Sequence, residues 1–312
     1  MEWVEARTIV TNNKSMNYDY LAAEYTMNIY RGCSHGCIYC FARGEYYKIP
    51  DFGRVRAKKD ALRIIRDDLA RKVKRGIITT GGMSDPYNPE EREHKLTRNA
   101  LELINAFAFG VCVLTKSDLV TRDLDILQDI KNHSPVNVSF SVTCAEDDLC
   151  RIIEPQAPTT SERLAAMAEL SSQGIITGVL LDPVLPYITD DDANIRGIVR
   201  KAKQAGACYI YASLSVTMEG IQRDHFFRQA EPSFPGTAER YTKRFGNYYR
   251  CSSPREKALW AAFADECERQ QIVYDMRVAN RMIRNGYDLS DLQLGASKNH
   301  RHAISSPEKN GR

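Results

Sequence analysis

Short apolar runs alternate with amphipathic segments over the first two thirds of the chain, and few folds tolerate that order. Tyr25–Tyr30 reads as a strand, followed by a helix over Asp60–Arg75 with Leu62, Ile65, Leu69 and Val73 on one face. Gly76–Thr80 is a strand, Glu91–Phe109 a helix, Val111–Thr115 a strand and Thr121–Asn132 a helix. Val136–Val142 is a strand, and Thr159–Gln173 a helix that opens on the capping-box pair Thr159 and Glu162. Ile175–Leu181, the helix Asp190–Ala205 and the strand Ala207–Leu214 complete six βα-type units. Such alternation predicts an α/β fold with a parallel sheet, and near-continuous apolar strands predict burial on both faces. Six units suit a curved sheet or partial barrel at least as well as a flat doubly wound one.

Beyond about residue 216 the alternation stops. A helix is expected over Ser252–Ile272, with Ser253 as N-cap and Pro254 at the first helical position, and another over Asp275–Asn285. The expected organisation is an N-terminal segment (1–22), a core (23–216), a C-terminal helical extension (217–296) and a disordered tail (297–312). Hydrophobic residues make up 43% of the 312 and charged residues 27%, which excludes collagen-like and mainly disordered chains. No run reaches the roughly 18 apolar residues of a membrane span. The first residues carry acids and no apolar stretch, unlike a signal peptide. Nine cysteines without an export signal predict reduced thiols and a cytoplasmic location. A monomer is expected.

Three of those cysteines crowd into one loop: Arg31-Gly32-Cys33-Ser34-His35-Gly36-Cys37-Ile38-Tyr39-Cys40. Gly32 and Gly36 let the backbone wrap closely. Thiolates in this arrangement ligate iron–sulfur clusters or zinc. Structural zinc takes four ligands, so a zinc site would have to recruit His35 or a residue elsewhere. A cube held by three cysteines leaves one iron open.

The spacing C-x3-C-x2-C resembles the signature of the radical S-adenosylmethionine (SAM) superfamily. The chain is similar to its branch related to spore photoproduct lyase over roughly residues 24–216. Four further places carry the resemblance. Thr80-Gly81-Gly82-Met83-Ser84-Asp85 matches the branch's Ser-Asp pair, which implies S-adenosylmethionine binding by Ser84, with Gly81 and Gly82 freeing backbone for the ligand; a simple turn is the competing reading. Leu114-Thr115-Lys116-Ser117 implies that Lys116 faces the carboxylate of S-adenosylmethionine, against a solvated lysine at a strand exit. Ser141 and Thr143 end the fourth strand, and Glu154-Pro155-Gln156-Ala157-Pro158 with Arg163 resembles an element of the branch that orients cofactor or substrate, or forms an ordinary ion pair. Gly174-Ile175-Ile176-Thr177-Gly178 resembles a pattern in which the strand at Gly178 approaches adenine.

The resemblance implies a partial (β/α)6 parallel barrel, a 4Fe-4S cluster on Cys33, Cys37 and Cys40, and S-adenosylmethionine bound at the open iron. It further implies an electron donor such as flavodoxin or ferredoxin. The implied reaction cleaves S-adenosylmethionine to a 5′-deoxyadenosyl radical, which takes a hydrogen atom from substrate. Two departures bear on substrate. In spore photoproduct lyase a cysteine two residues before the Ser-Asp serine returns hydrogen to the product; here Gly82 stands there. The tyrosine that follows the last cluster cysteine is here Phe41, while Tyr39 keeps the other one. Dimer reversal is therefore not expected, and Cys144, with Tyr39, is the alternative donor to watch. The remaining cysteines, Cys150 among them, show no close pairing in sequence. Bases and rings between Arg223 and Arg250 either hold nucleic acid or pack helices over the barrel mouth. The rival to an enzyme is a non-catalytic metal-binding module that senses or holds a partner.

Overall fold

The computed structural model describes residues 1–13 and 22–285, so the expected tail lies outside the described residues. Its centre is a seven-stranded sheet: β1 (Val10–Asn12), β2 (Tyr25–Met27), β3 (Ile77–Thr80), β4 (Gly110–Thr115), β5 (Val136–Ser141), β6 (Ile176–Leu181) and β7 (Tyr209–Ala212). The strands lie in chain order. Each of the six from β2 to β7 pairs parallel with its neighbour, while β1 adds to β2 antiparallel. The sheet does not close on itself, which agrees with an open, partial barrel. The antiparallel edge strand was not foreseen.

Helices α1 (Ala61–Ala70), α2 (Leu96–Ala106), α3 (Leu124–Lys131), α4 (Asp147–Ile153), α5 (Thr160–Ser172) and α6 (Asp192–Gln204) connect the strands. Their apolar faces, including Ile65, Leu101, Leu127, Met167 and Ile198, join the strand residues in one core. The capping box at Thr159 and Glu162 forms as the sequence predicts. The helix expected over Glu91–Phe109 is broken. A short helix Glu91–His94 ends at Lys95, which is left-handed with φ 48°. The break turns the buried Glu91 carboxylate onto the start of α2, where it accepts from the amides of Thr97 (2.9 Å) and Arg98 (3.2 Å) and from the Tyr30 hydroxyl (2.5 Å). A long-range tie overrides local periodicity there.

A small outer sheet, Glu2–Val4 with Arg56–Lys58 and Tyr30–Arg31, flanks the cysteine loop and was also not foreseen. The C-terminal extension holds α7 (Gly220–Ala230), α8 (Thr237–Phe245), α9 (Glu256–Gln270) and α10 (Met276–Asn285). It also holds an antiparallel pair, β8 (Ser215–Thr217) with β9 (Arg250–Ser252). Helix α9 begins at Glu256, later than expected, because the Ser253 hydroxyl donates to Asp190 (2.6 Å) and accepts from the Arg255 amide (3.0 Å) instead of capping a first turn at Pro254. Among the described residues no helix is long and apolar enough to cross a membrane.

Gly178 in β6 is a packing requirement. A Cβ there would stand 2.3 Å from the Tyr209 ring. The Tyr209 hydroxyl meets the Ser139 hydroxyl (2.6 Å) and the Asn137 amide (2.9 Å). Gly178→Ala should therefore cost about 1–3 kcal/mol by overpacking. Chemical denaturation of Gly178→Ala, Tyr209→Ala and the double variant should show strong non-additivity, because truncating the ring removes the clash. Additive losses would mean that the ring does not set the requirement.

Candidate functional site

The ends of β3, β4 and β5 and the cysteine loop meet around two buried carboxylates. The first is Asp85. Its Oδ1 accepts from the Thr115 hydroxyl (2.7 Å) and the Tyr87 amide (2.9 Å), and its Oδ2 accepts from the Lys116 amide (2.8 Å). The His35 ring faces the same Oδ2 at 3.4 Å. Ser84 is also buried, and its hydroxyl donates to the Gly32 carbonyl. The Ser-Asp pair thus stitches the cysteine loop to two strand exits. The sequence had marked Ser84 as the binding residue; Asp85 makes more of the contacts, and its role was not legible because its partners are remote in the chain.

The second carboxylate is Glu154, after α4. It accepts from Arg163 of α5, from the Tyr39 hydroxyl and, at 3.3 Å, from the Thr143 hydroxyl. The Lys116 ammonium stands 3.9 Å from it and 5.7 Å from the Tyr39 ring centre. Glu154 and Arg163 have no exposed side-chain surface. Burial raises the Glu154 pKa, but Arg163, Lys116 and the Tyr39 hydrogen bond outweigh it and hold the carboxyl at about 2. The ion pair that the sequence left open is formed, and it is fully buried. Arg163 also donates to the Ser141 carbonyl (2.9 Å), fixing the end of β5.

The cysteine loop leans on these groups. The Ile38 amide donates to the Ile153 carbonyl (3.0 Å), the Gln156 amide to the His35 carbonyl (3.0 Å) and the Cys33 amide to the Phe52 carbonyl (2.9 Å). Gly32 has φ 80°, and a Cβ on it would lie 2.6 Å from the Phe52 oxygen, so the approach needs glycine. Cys33 and Cys37 are buried and Cys40 is half-buried, close enough that their charges act on one another. Burial pushes the Cys33 thiol up to about 12 and Cys37 well above its ordinary value. Neutral thiols are the stable form here unless a cation compensates, which is what a metal cluster does on displacing the protons.

The donor set fits a cluster held by three cysteines. The Nδ1 of His35, between two of the cysteines, faces Asp85 at 3.4 Å, which fixes the orientation of its ring. Among the described residues no three His, Cys, Asp or Glu side chains are grouped around a single ion-sized point. Sulfurs on one zinc ion would lie about 3.8 Å apart, from Zn–S bonds of about 2.3 Å. A cube receives each thiolate on a different iron and spreads them further.

Around this loop Gly81 has φ 99°, and a Cβ on it would collide with the Leu114 carbonyl, while a Cβ on Gly82 would meet open space. Gly82, Lys116 and Ser141 have accessible surface at the strand ends. The side-chain space at Gly178 is filled by Tyr209. Asp182, just past β6, was not singled out by sequence. It is exposed at the same strand-end face and hydrogen-bonded to Ser213. Tyr39 is 4% exposed and Cys144 is fully buried. The Cys144 and Cys150 thiols hydrogen-bond to each other, a pairing absent from the sequence reading because a loop and one helical turn bring them together. Neither Cys144 nor Cys150 has surface for a substrate to touch.

Comparisons with known proteins came out as follows. A family model described as the radical SAM superfamily matches residues 27–196. An uncharacterized protein of Mycobacterium tuberculosis is 29% identical over 240 residues, covering 75% of this chain and 70% of that one. A "Radical SAM Nalpha-GlyT isomerase" of Pseudomonas phage M6 is 21% identical over 215 residues, covering 69% of this chain and 41% of that one. Among solved structures, a spore photoproduct lyase mutant with bound AdoMet and dinucleoside spore photoproduct superposes with a TM-score of 0.58 at 15% identity, over 86% of this chain and 79% of that one.

Glu154→Gln should destabilise the protein by about 3–5 kcal/mol, because it leaves the Arg163 charge buried without its partner. The sign of the pH dependence follows from the lowered pKa. The carboxylate's stabilisation is complete above its ordinary 4.5 and is lost as pH falls toward 2. Urea denaturation between pH 7 and pH 2.5 should show a smaller acid loss in Glu154→Gln than in the wild type, since only the other carboxylates with lowered pKa values remain to titrate. Equal stability of the two at pH 7 would contradict this account of the network.

Proposed function

The chain belongs to the radical SAM superfamily of enzymes, and we propose that Cys33, Cys37 and Cys40 hold a 4Fe-4S cluster with S-adenosylmethionine bound at its open iron. When bound, that pair supplies one-electron cleavage of S-adenosylmethionine and a carbon radical able to take a hydrogen atom from substrate. The observation that carries this reading is the donor set: three thiols on one loop pinned by backbone hydrogen bonds to Phe52, Ile153 and Gln156.

The chain's own residues bind, orient and exclude water. Lys116 offers an ammonium for the cofactor's carboxylate, in charge-assisted contact. Its amide is fixed by Asp85, so the ammonium is presented from a rigid strand end. Gly82 leaves room at the exit of β3, and Ser84 holds the Gly32 carbonyl and with it the loop. Ser141 stands at the end of β5, its carbonyl held by Arg163. Tyr39 closes the floor between Lys116 and Glu154. Site positions at C-terminal strand ends are where parallel α/β folds gather their chemistry. A small electron-transfer protein such as flavodoxin or ferredoxin is the proposed reductant.

For the substrate, we propose nucleic acid or a nucleotide. The aromatic-basic stretch divides in two. Phe226, Tyr241 and Phe245 are buried and pack α7 on α8, while Tyr248 is 73% exposed beside the exposed Lys243 and Arg244. Exposed rings among bases suit stacking on a charged strand. The lyase structure with a dinucleoside supports the same class. Reversal of thymine dimers is not proposed, since Gly82 stands where that enzyme's donor cysteine would be and Cys144 is sealed in the core.

Anaerobically purified protein should be brown, with about four irons per chain. Cys33→Ala, Cys37→Ala and Cys40→Ala should each lose the cluster, whereas Cys251→Ala should keep it. With dithionite and S-adenosylmethionine the wild type should release 5′-deoxyadenosine. Lys116→Ala should keep its iron but bind S-adenosylmethionine about 1–3 kcal/mol more weakly. Colourless zinc protein, or full iron in the cysteine variants, would overturn the assignment.

A further inference from the structure

Arginines in this protein commonly meet a carboxylate: Arg98 with Asp125, Arg122 with Asp123, Arg163 with Glu154, Arg196 with Asp265. Two on the outer side of the cysteine loop do not. Arg43, three residues past Cys40, lies 5.0 Å over the Phe52 ring, and its Nε is buried with no hydrogen-bond partner. Arg228 is exposed on α7. Among the described residues neither has an ion pair. His225 is half-buried on the same helix, one turn before Arg228 and one turn after Gln222. Burial, then Arg43, then Arg228 hold its ring down at about 4. The turn Phe41–Arg43 packs against α7, and the Gln222 side chain donates to the Tyr39 carbonyl (3.0 Å), so the two sides of the cluster of bases are locked together.

We propose that Arg43, His225 and Arg228 form a phosphate-binding site at the outer edge of the cysteine loop, taking a phosphate group of the substrate. A guanidinium fork matches phosphate oxygens, and neither of these two guanidinium groups is committed to a carboxylate. The neutral imidazole adds one N–H, and a bound dianion offsets the two guanidinium charges and raises the ring's proton affinity. Three acidic groups lie on the packed elements. Glu45 lies beside Gly220, and Glu219 beside Gly44, both at the start of α7. Asp224 is exposed on the helix, and neither it nor those two figures among the charges acting on His225. Arg223 is turned to the Gly246 carbonyl and the Phe227 ring. From α8, Tyr241 and Phe245 are buried, and Lys243 and Arg244 are exposed and add positive charge. Arg43 also acts on the Cys40 thiol, so a phosphate bound here is anchored next to the cysteine loop. Phe41 and Tyr46, 44% and 83% exposed, stand on the neighbouring turns, where a base attached to that phosphate could stack.

The inference rests on the proposed reaction for the word substrate, but its test uses no cofactor chemistry, so the two fail separately. Full-length protein, purified anaerobically, is titrated calorimetrically at low salt with inorganic phosphate and with a 5′-phosphorylated deoxydinucleotide. Arg228→Gln, an exposed change that leaves folding and iron content intact, should weaken both at least tenfold. Arg151→Gln, which removes a base paired with Asp148 on α4, should change neither. In buffers of different ionisation enthalpy at pH 6, binding of phosphate should release fewer protons from the wild type than from His225→Gln, the difference being the proton taken up by the His225 ring. Tighter dinucleotide binding would assign the phosphate to nucleic acid, equal binding to a free phosphate compound, and both support the site. Absence of phosphate binding, affinity unchanged in Arg228→Gln, or displacement by polyglutamate as readily as by phosphate would overturn it, the last pointing to an acidic protein surface.

Discussion

Glu154 is the group on which the rest of the site depends. One buried carboxylate joins the cysteine loop through Tyr39, the end of β5 through Thr143 and Arg163, and the exit of β4 through Lys116. Taking that charge out of water is costly, and two cations with two hydroxyl donors offset the cost. Breaking one contact would leave the others buried and unmatched, so the elements are held as a unit. The loop bearing Cys33, Cys37 and Cys40 is therefore tied to several elements of the core, although it has little regular structure of its own.

Asp85 repeats the device one strand away. It gathers the Thr115 hydroxyl, the Lys116 amide and the His35 ring, so the same residue that positions Lys116 also orients the histidine of the cysteine loop. Together the two carboxylates explain how an open sheet holds the loops at its strand ends in a defined arrangement. The strands supply parallel ends, and buried polar ties between consecutive ends fix their loops. The radical chemistry assigned to the family needs such an arrangement, since a reactive carbon radical must meet its substrate in a fixed geometry and away from water.

Most of the layers were legible in sequence because periodicity reports burial. The six parallel strands and their helices lie close to where apolar runs and caps placed them, down to the Thr159–Glu162 capping box. What escaped was set by contacts distant in the chain. The break at Lys95 follows from Glu91 reaching Tyr30 and the start of α2. The late start of α9 follows from Ser253 reaching Asp190. The three cysteines announced themselves through spacing alone, and Asp85 stood in a visible Ser-Asp pair although its partners did not, whereas Asp182, the Cys144–Cys150 contact and the Arg43–His225–Arg228 group have no local pattern. Gly178 shows the reverse case: a motif was visible, but the space it creates belongs to Tyr209.

The central claim is that three cysteines on this loop hold a cluster whose remaining iron takes S-adenosylmethionine directly. It is tested by electron paramagnetic resonance of the dithionite-reduced protein with S-adenosylmethionine labelled with 15N at its amino group. The account predicts a reduced-cluster signal that changes on adding the cofactor and carries hyperfine coupling to the labelled nitrogen. A signal that ignores S-adenosylmethionine, with no coupling to the label, would contradict it.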